Sequence, residues 1–391
     1  MGSLKAVILA AGEGIRLRPF TMSRPKAMIP IGNKPVLEHI VHSLVANDIT
    51  DIVIVVGYFE NTIMSHFGDG RNFGAKITYV SQSRPIGTAH AVFSAWDILK
   101  DEERVIVLAG DNFIDKNTVA SALNGEPPLA VVTESIMPSK YGVVSLKDNR
   151  IISIVEKPET NFSNIISTGI YLLDKQTLNF FSNASEVSAL GISEVLSSHL
   201  DQICMSAVKT DGSWADAVYP QDLVKLNDMA LENISRLTQG TIEQGVVLKG
   251  NVSIGEGSRI RAGCYIEGPV VIGENCDVGP NVTISSFTSI GNDVQIGPYS
   301  CISGSVLMDN IAVGTHCHIC RSAVDCGVEM GSSVLADGIA RGRDRAGVMI
   351  GQDSWIGSGT VFFPNVIVGS ECRVSSGSTV RSSLENRSIV V

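Results

Sequence analysis

No stretch of this 391-residue chain stays apolar over the ~18–20 residues needed to cross a bilayer, so a helical membrane anchor is not expected. The chain also lacks an excess of positive charge. Its 30 Lys and Arg face 40 Asp and Glu, a formal charge of −10. That disfavours a general affinity for nucleic acid or anionic membranes, while leaving room for a local cationic pocket around a small phosphorylated ligand. The apolar run Ala6–Ala10 is too short for a signal peptide's core and leads straight into Gly12, Gly14, Arg16 and Arg18. It reads as a buried first strand. The opening Met1-Gly2-Ser3 lacks the Ser or Thr at position six that myristoylation requires, since Ala6 stands there. Eight cysteines with no export signal predict reduced thiols in a cytoplasmic protein.

What is present divides into two halves, expected as domains 1–235 and 236–391. In the first, short Val- and Ile-rich runs (6–10, 51–57, 77–80, 104–109, 129–133, 142–146 and 169–173) are bounded by Gly, Asp or Pro. They read as strands buried on both faces. Between the first two, Val36, Leu37, Ile40, Val41, Leu44 and Val45 recur at helical spacing. Strand alternating with helix predicts an α/β, Rossmann-like domain with a mostly parallel sheet, binding its ligand outside the carboxyl ends of the strands. The stretch 220–237 reads as a linking helix.

From about residue 240 aliphatic residues recur every six positions without a miss from Ile242 to Ile302. The period slips near Val306, continues through Val313 and Ile319, breaks at 337–347 and resumes from Ile350 to Val380. A six-residue period fits neither a helix nor a two-faced strand; it predicts a parallel β-helix with the aliphatic residue inside. Gly often follows that residue, as at Gly255, Gly273, Gly279, Gly291, Gly297, Gly351 and Gly357, and is expected to make the corner. Cys264, Cys276, Cys317 and Cys372 lie two residues before a core aliphatic, so they are expected to fill the interior as small apolar groups. That spacing argues against zinc at His316-Cys317-His318-x-Cys320.

The first strand runs into Gly12-Glu13-Gly14-Ile15-Arg16-Leu17. Two glycines after a strand let backbone N–H groups approach a phosphate. The loop is not a dinucleotide fingerprint, for Leu17 stands where a third Gly belongs, and no Gly-Lys-Ser/Thr follows to make a Walker loop. Arg16 and Lys26 can clamp phosphate oxygens. Read alone, the turn could equally be ordinary, Asp111 could cap the next helix, Asp216 could be a turn residue, and Glu156-Lys157 could be a solvated pair.

The string Leu9-Ala10-Ala11-Gly12-x-Gly14-x-Arg16-Leu17-x-Pro19, with Pro25-Lys26 and Asn33-Lys34-Pro35, resembles the signature of sugar nucleotidylyltransferases. Gln82 with Gly87-Thr88-Ala89-His90-Ala91, Ala109-Gly110-Asp111, Tyr141-Gly142, Glu156-Lys157-Pro158 and Trp214-Ala215-Asp216 follow in the family's order. The two-domain plan resembles the archaeal bifunctional N-acetylglucosamine-1-phosphate uridylyltransferases with a fused acetyltransferase; the N-terminal motifs are also similar to glucose-1-phosphate thymidylyltransferases. The resemblance implies Mg²⁺-dependent transfer of a nucleotidyl group from UTP or dTTP to a sugar 1-phosphate, in a homotrimer with a left-handed β-helix. It implies that Leu9, Ala11, Gly12, Gly14, Gln82, Gly87 and Thr88 hold the nucleotide, and Gly142, Glu156, Ser167 and Thr168 the sugar. Arg16, Lys26 and Lys157 would meet the phosphates, and Asp111 and Asp216 would share Mg²⁺. Two positions depart from the family: Ile15 replaces a small hydroxyl residue, and Ser167 replaces an Asn that contacts the sugar.

Related β-helices transfer acyl groups from acetyl-CoA with a His base. Here Thr315 takes the expected place of that His, and His316 is one residue late. A one-residue shift turns a side chain to the other face of a strand. His316, His318 and Arg341 are the candidates for such an activity. The alternatives are a β-helix that serves assembly alone, and a non-catalytic paralogue that binds nucleotide sugar.

Overall fold

The computed structural model describes residues 4–82, 84, 86–183, 187, 189–337 and 346–391. The chain divides into two compact units. The first holds residues 1–13, 24–28 and 36–215; the second holds 14–23, 29–35 and 216–391.

The first unit is built on a nine-stranded sheet. Its order is Lys76–Ser81, Asp51–Val56, Lys5–Leu9, Arg104–Ala109, Ile165–Asp174, Leu129–Glu134, Ser206–Lys209, Arg150–Glu156, Gly142–Lys147. The first four strands are mutually parallel. Along them, successive side chains enter opposite cores. Val7, Val53, Val55, Val105 and Val107 fill one, while Ile8, Ile52, Ile54, Ile106 and Leu108 fill the other. That is why these strands read as unbroken apolar runs. The helix Val36–Val45 turns Leu37, Ile40, Val41 and Leu44 into the second core. Each such buried side chain stabilises the unit by about 1.5–3 kcal/mol.

The other half of the sheet is mixed. Ile165–Asp174 runs antiparallel to Arg104–Ala109 and to Leu129–Glu134, and Arg150–Glu156 runs antiparallel to Gly142–Lys147. The reason for the second pairing lies in two residues. Asp148 and Asn149 adopt positive φ (51° and 63°), which closes a tight hairpin between its two strands.

The second unit contains a left-handed parallel β-helix of three sheets with eight, nine and eight strands. Successive coils pair eighteen residues apart, as in Ile254 beside Ile272 and Ile272 beside Ile290. The step shortens to seventeen where Ile290 pairs Leu307 and Leu307 pairs Val324. Five residues therefore separate Ile302 from Leu307, and again Ile319 from Val324, so the slip near Val306 has a second counterpart. The step widens to twenty-six where Val324 pairs Ile350, across the break at 337–347. The helix expected over 220–237 spans Asp222–Leu231.

The period-six residues and the four cysteines named above are buried, with Ile254, Ile266, Ile284 and Ile302 all fully enclosed. Burial pushes the thiols of Cys264, Cys276, Cys317 and Cys372 up, which leaves them poor thiolates. All eight cysteines are free. Ile242 and Leu248, in the first coil, are the exceptions: Ile242 is 36% exposed and Leu248 is only partly buried.

The role expected of the glycines needs correction. Of the seven named above, only Gly279 has a positive φ (103°). The left-handed corner lies instead three residues before the core residue, at other glycines such as Gly257, Gly263 and Gly359 and at Asn275, Asn281, Asp293, Tyr299 and His316. Asn and Asp tolerate that conformation best among side-chain-bearing residues. The glycines that follow the core residue answer a different demand. A Cβ on Gly255 would sit 2.6 Å from the carbonyl carbon of Gly273, and one on Gly297 would meet that of Gly314 at 2.6 Å. They are glycines because the next coil lies too close for anything larger.

Candidate active site

At the carboxyl ends of the parallel strands, two glycines let the backbones close in. A Cβ on Gly57 would meet the Ala11 carbonyl at 2.9 Å, and one on Gly110 the Leu9 carbonyl at 2.8 Å. Ala10 N–H donates to Val55 O (2.8 Å), and Gly110 N–H to Leu9 O (2.9 Å). Above them opens a cleft of about 340 Å³ lined by Leu9, Ala11, Gly12, Gln82, Gly87, Thr88, Ala91, Ala109, Asp111, Gly169, Tyr171, Ile192 and Ser193. Seven of these are the residues assigned above to the nucleotide or the metal, and Ala91 and Ala109 belong to the same motifs, all brought together from separate strand ends.

Gly12 is exposed, and a Cβ there would find no protein atom within 4 Å. Packing within the protein therefore does not explain this glycine. At Gly87 packing does: φ is 109°, and a Cβ would lie 2.4 Å from Leu190 O. Thr88 Oγ1 accepts from Ile192 N–H (3.0 Å), and Ala89 N–H donates to Leu190 O (3.2 Å). Gln82 is 4% exposed, and its Nε2 reaches the Gly87 carbonyl at 3.2 Å.

Asp111 follows the strand Arg104–Ala109 and binds Lys26 Nζ at 2.7 Å. Lys26 is largely buried, while Asp111 keeps 37% of its side chain exposed in the cleft. Asp111 is not the cap of the next helix: Asp115 is, accepting from Thr118 N–H at 2.8 Å. Among the described residues no cluster of three or more His, Cys, Asp or Glu is poised for a metal. Mg²⁺ does not need one, since it keeps several waters and takes one or two carboxylates with substrate phosphates. The hard oxygens of Asp111 suit that ion.

The sugar motifs converge through the hairpin, whose register sets Gly142 opposite Glu156. A Cβ on Gly142 would sit 3.1 Å from Glu156 Oε2. Lys157, at φ 45°, donates its N–H to Tyr141 O (3.0 Å), and its Nζ lies 3.3 Å from Glu156 Oε1. About half of each of these two side chains is exposed. Ser167 and Thr168 are buried, and their hydroxyls turn inward, Ser167 to Tyr171 (2.9 Å) and Thr168 to Val131 O (2.8 Å). The Thr168 carbonyl accepts from Asn112 Nδ2 and Trp214 Nε1.

Tyr171, Ile192 and Ser193 line the cleft without having been singled out. Tyr171 is fully enclosed, and its hydroxyl lies 3.2 Å from Ser193 Oγ. Burial pushes its phenol up, against the hydrogen bonds from Ser167 and Ser193, and the Glu156 charge pushes the same way as burial. No local motif marks Ser193; only the fold carries it to the cleft.

Gly14 and Arg16, in the turn around Ile15–Leu17, and Asp216, ending the strand Trp214–Asp216, fall in the second unit. Arg16 is exposed. His316 occupies a left-handed corner and stacks on Tyr299 at 5.1 Å. His318 lies in the strand His318–Cys320, registered between Cys301 and Leu335. Arg341 lies outside the described residues.

A family model described as "Nucleotidyl transferase" matches residues 5–233, and one described as "Bacterial transferase hexapeptide (six repeats)" matches 251–286. The chain belongs to the nucleotidyl transferase family. It is 36% identical to the "Bifunctional protein GlmU" of Methanococcus maripaludis strain C7, over 99% of this chain and 97% of that one. It is 34% identical to the glucose-1-phosphate thymidylyltransferase of Streptomyces antibioticus, over 66% of this chain and 74% of that one. A crystal structure of a provisionally named glucose-1-phosphate thymidylyltransferase from Bacillus anthracis superposes with a TM-score of 0.55 and 29% identity, covering 61% of this chain and 98% of its own. This member of the nucleotidyl transferase family is thus a sugar-1-phosphate nucleotidyltransferase followed by hexapeptide repeats. Among its described residues no helix is long and apolar enough to cross a membrane.

Proposed function

We propose that the enzyme transfers a nucleotidyl group from UTP or dTTP to a sugar 1-phosphate in a Mg²⁺-dependent reaction of the cytoplasm. A phosphate oxygen of the sugar attacks the α-phosphorus, the new P–O bond forms, and the bond to the β-phosphate's bridging oxygen breaks as pyrophosphate leaves. The step sets anion against anion, so positioning and charge neutralisation carry it. The observation behind this reading is that Gln82 and the Lys26-bound Asp111 line one cleft. Gln82 and Gly87 meet the base, and Gly12, bare of any side chain, admits the phosphates to backbone N–H groups. Lys26 holds Asp111 in place beside the reacting phosphates. Mg²⁺, held by Asp111, would neutralise charge on the triphosphate. Glu156 accepts sugar hydroxyls, and Lys157 holds the sugar phosphate. Arg16 and Asp216 are proposed from their motifs alone, as clamp of the leaving pyrophosphate and second metal carboxylate.

For the β-helix we propose assembly into a trimer. The outward column of one sheet carries Val247 and Tyr265, then Thr283, Cys301 and His318, then Leu335 and Val361, and its two apolar stretches suit burial against another copy. Acetyl transfer from acetyl-CoA is the second reading, supported by the two-domain likeness to proteins named bifunctional. The test of the first activity is a pyrophosphate-release screen of nucleoside triphosphates against sugar 1-phosphates. Turnover with UTP or dTTP supports it; no pyrophosphate with any pair overturns it.

A further inference from the structure

Two contacts hold the Gln82 side chain, and together they admit one assignment of its atoms. Nε2 lies 3.2 Å from the Gly87 carbonyl oxygen and 3.0 Å from His90 Nδ1. A carbonyl oxygen only accepts, so the atom facing it is the amide nitrogen. That nitrogen's second hydrogen then points at His90 Nδ1, which must accept it. A ring that accepts at Nδ1 is neutral and carries its proton on Nε2. Both amide hydrogens are thereby engaged, and Oε1 is the group left to the cleft that Gln82 lines. The frame is stiff. Gly87 is fixed by its left-handed backbone against Leu190, and His90 is anchored on the helix Thr88–Ser94.

We propose that His90, as the neutral Nε2–H tautomer, is a positioning residue that makes Gln82 present an acceptor to the base. This rests on the reading that Gln82 meets the base, and it narrows the substrate class. Uracil and thymine offer an N3–H donor at their pairing edge, whereas cytosine offers an unprotonated N3. An Oε1 acceptor pairs with the first two and faces the third acceptor to acceptor. His90 therefore helps to exclude CTP as well as to admit UTP and dTTP. Hydrogen-bonding sites discriminate strongly in this way because a mismatched polar group is left unpaired.

The test compares wild type, His90→Leu and His90→Asn. Asn sets an acceptor, Oδ1, where Nδ1 stood; Leu removes it. Calorimetry measures binding of UTP, dTTP and CTP with no sugar phosphate present, after circular dichroism has verified the fold. His90→Leu is expected to weaken UTP and dTTP binding roughly tenfold and to narrow their advantage over CTP, with His90→Asn restoring most of both. In ¹⁵N spectra at pH 8, the ring signal that vanishes in His90→Asn should carry the shifts of an Nε2–H tautomer. An Nδ1–H tautomer overturns the proposal, as do unchanged affinities in His90→Leu or failure of Asn to rescue. Should wild type bind ATP or GTP more tightly than UTP and dTTP, the pyrimidine reading fails instead, and the ring tautomer alone decides the role of His90.

Discussion

Lys26 and Asp111, 85 residues apart in the chain, meet at 2.7 Å in the first unit. The lysine is the more buried partner and the aspartate the more exposed. The carboxylate is thus held from behind by a cation while its free edge faces the cleft. In an enzyme that brings two phosphates together, such a pair orients a metal ligand and adds positive charge where it is needed.

Asp111→Asn keeps the size and the contact with Lys26 but removes the charge. It should lower turnover on the order of a thousandfold, with melting temperature nearly unchanged. A Mg²⁺ titration of the pyrophosphate-release rate checks it. Near wild-type turnover at saturating Mg²⁺ would show that Asp111 holds no metal.

Two glycine substitutions should part ways. Gly12→Ala meets no protein atom, so it should leave stability alone and weaken triphosphate binding by roughly tenfold, through the lost backbone approach. Gly297→Ala would drive a methyl to 2.6 Å from the next coil's backbone, so it should destabilise the β-helix by about 1–3 kcal/mol. Thermal melts paired with UTP titrations separate the two. The same loss of stability in both variants would refute the account of Gly12.

Lys157→Gln should raise KM for the sugar 1-phosphate more than KM for the triphosphate. Lys157 lies 3.3 Å from Glu156, in the segment assigned to the sugar. Initial-rate kinetics with each substrate varied in turn decide the matter. A selective rise in the triphosphate KM would move Lys157 to the other substrate.

The full-length protein should scatter light as a trimer at micromolar concentration. A monomer there would refute assembly through the β-helix. A chain truncated after about residue 235 should be less associated, whether or not it keeps activity.

Much of the first unit was legible because its strands are buried on both faces, a pattern few other structures produce. The hairpin Gly142–Glu156 was half missed: its second strand, Arg150–Glu156, has mixed polarity because the strand is partly exposed. Gln82, Gly87, Thr88 and Asp111, drawn from motifs far apart in the chain, line one cleft, and each motif is readable because it is local to a strand end or helix start. Tyr171 and Ser193 were not foreseen, because their place depends on a bulge between Ser167 and Ile170 and on a helix start brought in from elsewhere. In the β-helix the period of six was plain. The sense of its glycines was not, because coil-to-coil distance leaves no trace along the chain.

That distance makes the glycine columns a ruler. At Gly255, Gly273 and Gly291 a Cβ would stand 2.5–2.7 Å from the backbone of the next coil, while Met308 and Asp325 take the same place further along the column. A misfit at Gly255 would press on the backbone of Gly273 and, through it, tilt the coils stacked beyond. Distortion would be largest at the far end of the prism, near Val380, more than a hundred residues from the substituted position. Sequence drift at one corner would then be felt through leverage, at surfaces that the altered residue never touches.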